Sequence, residues 1–244
     1  MELPNVEWAM PSRPPVINDG KVHVWRADLP DFADKESELF RLLSVDEQQR
    51  ADKYHFEKDR LSFVIRRGML RVILASYLDQ HPAQIGFKYN NFNKPALEVN
   101  TQIFFNASSS QNVAIVAVTP EKRIGVDIEF LDEKFPKMEI AERYFSPDEV
   151  SSIRDLPREL QTAAFFECWT KKEAYVKAIG DGMSHPLPNL VISSKEPDSL
   201  SVDSLCKEAR GWSITSFVPE TNYIASHAYE AGQQEISYFR WPAI

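Results

Sequence analysis

Two long helix-forming stretches, one in each half of the chain, limit what this sequence can fold into. Over residues 58–79, Phe63, Leu70, Ile73, Leu74 and Tyr77 recur at helical spacing, and Arg60, Arg66, Arg67 and Arg71 lie on the same stretch. Over residues 158–179 a second helical stretch ends at Gly180, the residue type that most readily takes the left-handed backbone of a C-terminal cap. Short strand patterns surround them. They are expected at 21–28, 85–89, 103–106, 113–119 and 123–130, then at 190–193, 212–218, 223–229 and 236–239. Capping-box patterns at Ser44-Val45-Asp46-Glu47 and Ser146-Pro147-Asp148-Glu149 start two further helices. Most strands follow one another like hairpins, without regular strand–helix–strand alternation. The pattern predicts an α+β fold rather than a doubly wound sheet. Residues 1–20, with Pro4, Pro11, Pro14 and Pro15, read as an extended arm.

At 244 residues the chain can bury one large core or two small ones. Its net charge of −8 has the wrong sign for a nucleic-acid footprint, though it leaves room for a local basic pocket. Cys168 and Cys206 can neither build a disulfide framework nor alone complete a tetrahedral zinc site, so a reducing compartment is expected. The N-terminus, Met1-Glu2-Leu3-Pro4-Asn5-Val6-Glu7, lacks the basic start and apolar stretch of a signal peptide. The longest apolar run, 113–118, falls far short of the roughly 18 residues of a membrane helix. The expectation is a soluble cytoplasmic protein that binds neither nucleic acid nor membrane.

The residues that carry chemistry fall into three groups. In Gly125-Val126-Asp127-Ile128-Glu129, strand geometry sends Asp127 and Glu129 to one face and Val126 and Ile128 to the other. Two neighbouring carboxylates raise each other's pKa unless a cation lies between them, and rigid oxygen ligands suit Mg²⁺. Alone, so short a pattern is more often a solvated acidic face. In the second group, Glu173 and Lys177 lie one turn apart on a helix, beside Phe166 and Trp169. An isolated pair of this kind is usually a surface ion pair; aromatic neighbours point instead to a partly desolvated site. The third group is Arg67, Asn93-Lys94-Pro95 and Asn106-Ala107-Ser108-Ser109-Ser110. It offers cations, hydroxyls and backbone N–H groups to a phosphate, although the serines by themselves read as a polar turn. Together the groups supply acids for a metal, a Glu/Lys pair and phosphate contacts, which is what phosphoryl transfer needs. Neither a P-loop nor a kinase loop set accompanies them.

Gly125-Val126-Asp127-Ile128-Glu129 and Trp169-Thr170-Lys171-Lys172-Glu173-Ala174-Tyr175-Val176-Lys177-Ala178 resemble the two signature motifs of 4′-phosphopantetheinyl transferases. Asn106-Ala107-Ser108-Ser109-Ser110 is similar to the family's N-x-S-H-S segment, and Asn93-Lys94-Pro95 to its G-K-P turn. The resemblance covers residues 60–182, and the chain length resembles the monomeric two-lobed type, the surfactin-synthetase-activating kind. It implies two similar α+β lobes related by a pseudo-two-fold axis, each a small mostly antiparallel sheet on a long helix. The division would fall between residues 1–120, which contact coenzyme A, and 121–244, which carry the metal and catalytic residues. Asp127, Glu129 and Glu173 would hold Mg²⁺ (or Mn²⁺) against the coenzyme A pyrophosphate. Lys177 would contact the phosphates. Glu173, or a water on the metal, would take the proton from a serine of an apo acyl or peptidyl carrier protein. Arg67, Lys94, Ser108 and Ser109 would contact coenzyme A.

Two positions depart from the family pattern. Ser109 stands where the family has His, so weaker coenzyme A affinity is expected. Asn93 stands where it has Gly, and Asn tolerates a left-handed turn. Carrier proteins are usually acidic, so docking on this acidic chain would rely on a local basic and apolar patch near the lobe junction. A non-catalytic binder of carrier protein or coenzyme A that keeps the fold is the alternative, and a metal-dependent phosphohydrolase is a second.

Overall fold

The structure, a computed structural model, describes residues 3–11, 15–120, 122–180, 187–190, 211–230 and 235–241. The elements run β1 (Lys21–Asp28), α1 (Glu36–Arg41), α2 (Val45–Ala51), α3 (Glu57–Leu78), β2 (Phe87–Tyr89), β3 (Pro95–Leu97), β4 (Ile103–Ser110), β5 (Val113–Pro120) and β6 (Ile124–Phe130). They continue α4 (Lys137–Tyr144), α5 (Pro147–Arg154), α6 (Arg158–Ile179), β7 (Trp212–Phe217), β8 (Tyr223–Glu230) and β9 (Glu235–Arg240). The two long expected helices are α3 and α6, each 22 residues. Gly180 closes α6 with φ +85°, as a C-cap glycine should. Both capping boxes form: Glu47 accepts the Ser44 amide and Glu149 the Ser146 amide. The strand expected at 190–193 lies, beyond Leu190, outside the described residues, as does Cys206.

The fold is α+β with two lobes, and each lobe sets a long helix on a small sheet. Sheet order β4-β5-β1-β9 packs its outer face on α3 through Trp25, Phe105 and Val116. Sheet order β6-β8-β7 packs on α6, with Ala174, Tyr175 and Ala178 meeting Ile214 and Ala228. The inner faces of the two sheets share one core, Val24, Ile115, Val126, Ile128 and Phe217 among it. All strand pairs are antiparallel among the described residues except β1 with β9. That parallel pairing returns the end of the chain to the first lobe's sheet.

The N-terminal arm crosses the junction. Asn5 bridges Val218 and Ala9 bridges Phe239, one from each lobe's sheet. Trp8 packs between Phe217 and Tyr238 and donates its indole N–H to the Pro219 carbonyl.

A buried lysine anchors the second lobe. Lys172 is fully inaccessible, and its ammonium meets Glu149 at 2.8 Å and the carbonyls of Leu187 and Leu190 at 2.9 and 2.6 Å. It therefore ties α6 to α5 and to the 187–190 turn. Its motif neighbour Lys171 instead pairs with Glu167 one turn back.

Candidate active site

The site grows from the close approach of α6 to β6. A Cβ on Gly125 would lie 1.9 Å from the Ala174 carbonyl oxygen and 2.5 Å from the Ala178 nitrogen. Only a residue without a side chain lets the helix backbone come this near. Two residues along the strand, on the same face, Asp127 points into the gap. Lys177 Nζ donates to Asp127 Oδ1 at 2.5 Å and to Ser108 Oγ at 2.9 Å, and Ser108 Oγ donates to Asp127 Oδ1 at 2.9 Å. Glu129, two residues further, accepts a hydrogen bond from Ser110 Oγ at 3.0 Å. The serines come from β4, which is held beside β6 by Asn106 Oδ1 accepting the Val126 amide at 2.8 Å. Asn106 thus seats the whole serine segment against the acidic strand.

Burial and mutual repulsion raise two of the acids. The Glu129 carboxyl is pushed up to about 7, first by burial and then by Asp127, with Ser110 and Lys177 opposing. Glu173 is also raised, by burial and then by Asp127, against the pull of Lys177. Two carboxylate oxygens, Asp127 Oδ2 and Glu173 Oε1, are buried and accept no hydrogen bond. Unpaired buried carboxylate oxygens are costly and call for a cation. Among the described residues no three His, Cys, Asp or Glu side chains converge closely enough to hold a metal as they stand. Glu129 is turned to Ser110, and the Lys177 ammonium occupies the near oxygen of Asp127. The donor chemistry fits a hard cation, with Asp127 and Glu173 offering free oxygens and Glu129 one bond away from joining them.

Two adjoining cavities open from this centre. One, of about 250 Å³, is lined by Phe92, Asn93, Lys94, Asn106, Glu173 and Lys177. The other, of about 260 Å³, is lined by Arg50, Arg66, Arg67, Tyr89, Ser108 and Ser109. Asn93, Pro95 and Ala107 belong to both. Asn93 takes φ +61°, so the turn keeps its left-handed residue without glycine. Asn90 Oδ1 accepts the amides of Phe92 and Lys94, which fixes the turn.

Asp127, Glu173, Lys177 and Ser108 come together, and Glu129 lies beside them. Arg67 and Ser109 lie in the second cavity. Arg67 is already engaged: its Nε meets Glu47 at 2.6 Å, its Nη2 meets the Tyr89 hydroxyl, and its guanidinium covers the Phe87 ring. Lys94 lines the first cavity, but its ammonium donates to the Ala178 carbonyl at 2.8 Å. Burial, helped by Arg123, lowers it to about 8. Sequence reasoning singled out neither Asn106 nor Ser110 for an individual role, though both lie in a quoted motif. It also passed over Arg66, whose Nη1 donates to Ser109 Oγ at 2.8 Å.

Two family profiles cover this architecture. One, described as the 4′-phosphopantetheinyl transferase superfamily, matches residues 123–228; another, described as the N-terminal part of 4′-phosphopantetheinyl transferase, matches residues 25–121. The chain belongs to the 4′-phosphopantetheinyl transferase superfamily and is an enzyme of that class. It is 36% identical over 212 residues to the 4′-phosphopantetheinyl transferase HetI of Nostoc sp. (strain PCC 7120), spanning 85% of this chain and 87% of that one. It is 29% identical over 178 residues to the transferase gsp of Aneurinibacillus migulanus, covering 73% and 71%. With Sfp of Bacillus subtilis (strain 168) it shares 24% identity over 183 residues, 75% and 80% of the two chains.

Proposed function

We propose that the chain transfers the 4′-phosphopantetheine group of coenzyme A to a serine of an apo acyl or peptidyl carrier protein, with Mg²⁺, releasing adenosine 3′,5′-bisphosphate. The observation that carries this reading is the pair of buried, unpartnered oxygens, Asp127 Oδ2 and Glu173 Oε1, beside Lys177 and next to an arginine-lined cavity. Asp127, Glu129 and Glu173 would hold the cation, which when bound supplies charge neutralisation for the donor's phosphates.

The chain's own groups divide the remaining work. Lys177, on the rim of the cavity, contacts the phosphates and offsets charge on the departing bisphosphate. The raised pKa of Glu173 makes it a competent base for the carrier hydroxyl. As the serine oxygen bonds to phosphorus, its proton passes to the Glu173 carboxylate and the bond to the bisphosphate oxygen breaks. Ser108, donating to Asp127 and accepting from Lys177, holds these two in register.

The reading extends to a cytoplasmic monomer. No described helix is long and apolar enough to cross a membrane. Intact-mass measurement of apo carrier proteins incubated with coenzyme A and Mg²⁺ tests the function. A gain of about 340 Da, the phosphopantetheine mass, is expected on at least one carrier. If every carrier stays apo while coenzyme A is hydrolysed without one, the chain is a phosphohydrolase and the proposal fails.

A further inference from the structure

Strands β4 and β6 close the gap between the lobes through side chains. β4 is the edge of one sheet and β6 the edge of the other. Alternate residues of β4 reach across to β6. Asn106 accepts the Val126 amide, Ser108 donates to Asp127 and Ser110 donates to Glu129. Residues two apart on a strand share a side, so this spacing delivers one hydroxyl to each of two acids.

The two serines affect their acids differently. Ser108 donates to Asp127 Oδ1, the oxygen that Lys177 also holds, and Oδ2 is left free. A cation taking Oδ2 need break neither bond. Ser110 has its polarity fixed: the Phe130 amide donates to its Oγ at 3.1 Å, so its own proton is directed to Glu129 Oε2 at 3.0 Å. A hydroxyl that accepts one hydrogen bond becomes a stronger donor in the next. Glu129 is thereby held toward β4. Among the described residues the acids do not converge closely enough to hold a metal in this arrangement, although Asp127 and Glu173 are near enough to repel Glu129.

We infer that Ser110 is a positioning residue that tethers Glu129 off the cation seat, so that the third acid joins only by exchanging this hydrogen bond for the cation. This rests on the transferase reading above. Ser110 sets the cation affinity from outside the ligand set, and it does so by opposing capture. Removing a hydroxyl that supported a bound ligand would loosen the metal. Removing the tether tightens it, because the bond that capture must break is already gone. Ser108 and Ser110, one strand period apart, thus act in opposite senses: one leaves an acid oxygen open, and the other holds an acid back.

Mn²⁺ titration read by electron paramagnetic resonance tests this, with coenzyme A present and the buffer set above the Glu129 value of about 7. Ser110→Ala should bind Mn²⁺ about 10-fold more tightly than wild type, the equivalent of one hydrogen bond to a charged group. Ser110→Thr keeps the hydroxyl and should bind as wild type does. Ser108→Ala should show no such gain. Glu129→Ala should bind more weakly than wild type, and adding Ser110→Ala to it should bring no gain, because the tether has lost its target. Should Ser110→Ala fail to fold, Ser110→Cys, a weaker donor, substitutes and must tighten binding by about threefold or more. Unchanged or weaker Mn²⁺ binding in the position-110 variant that lacks the hydroxyl, or a gain that persists without Glu129, overturns the inference while leaving carrier modification intact. If wild type binds no Mn²⁺ and modifies no carrier, the transferase reading itself falls.

Discussion

Replacing Gly125 with Ala isolates the contact that builds the site. The new Cβ would sit 1.9 Å from the Ala174 oxygen, where ordinary contact begins near 3.4 Å. Helix α6 must therefore retreat by about 1.5 Å, because both obstructing atoms are backbone and neither can rotate away. Overpacking of this kind costs about 1–3 kcal/mol, and a backbone clash belongs at the upper end. The retreat also carries Glu173 and Lys177 away from Asp127, whose bond to Lys177 is 2.5 Å. A displacement of about 1 Å from productive geometry can cost on the order of 100-fold in rate. Urea denaturation gives the stability term, and carrier-modification kinetics at a urea-free temperature where the variant stays folded give the rate. Val126→Ala is the control, since Val126 is equally buried but faces the other sheet. It should lose about 1–2 kcal/mol through its cavity and keep kcat within about twofold. If Gly125→Ala costs under about 0.5 kcal/mol, or keeps wild-type kcat, the close approach does not position the site.

Further outcomes follow from other buried groups. Lys172→Met removes a fully buried ammonium with its 2.8 Å ion pair to Glu149 and should destabilise by about 3–5 kcal/mol in urea denaturation; adding Glu149→Gln should recover part of the loss, and no loss would remove the lysine's anchoring role. Burial lowers His227 and His23 to about 4, against an ordinary value near 6.5. Because the unfolded chain takes up these protons first, their stability contribution is complete above pH 6.5. It falls as pH drops toward 4, by about 3 kcal/mol for each imidazole. The pH dependence of urea unfolding in His227→Gln, subtracted from wild type, isolates one of them from acids such as Glu129, whose raised pKa works the other way. Equal slopes in the two proteins would contradict the assignment. Trp8→Ala should raise the coenzyme A KM more than it lowers kcat, since Trp8 touches both lobes but neither cavity; an unchanged KM would relegate the arm to general stability.

Local signals carried much of the fold. Helix α3 was legible from the helical spacing of its apolar residues, and α6 from a long helix-forming stretch whose end Gly180 marks. The facing of Asp127 and Glu129 followed from strand alternation alone. What was not legible depends on partners distant in sequence. Nothing in residues 235–240 says that they pair in parallel with β1, because that ladder is closed by the rest of the fold. Arg66 and Arg67 are chemically equivalent neighbours, and only the placement of Glu47 from α2 neutralises one and spares the other. The lysines of the second motif likewise separate only in space. Lys172 turns into the core toward Glu149, while Lys177, just over one turn on, reaches Asp127. The Asn106 bond to the Val126 amide, which joins the serine segment to the acidic strand, has no sequence signature beyond its presence in the motif.

In the proposed reaction, Asp127 Oδ2 and Glu173 Oε1 are two parts of one cation seat. Mn²⁺ titration followed by electron paramagnetic resonance, in the presence of coenzyme A, measures that directly. One tight ion per chain is predicted for wild type, with binding lost in Asp127→Asn and in Glu173→Gln although both variants remain folded. Unchanged Mn²⁺ affinity in either variant would contradict it.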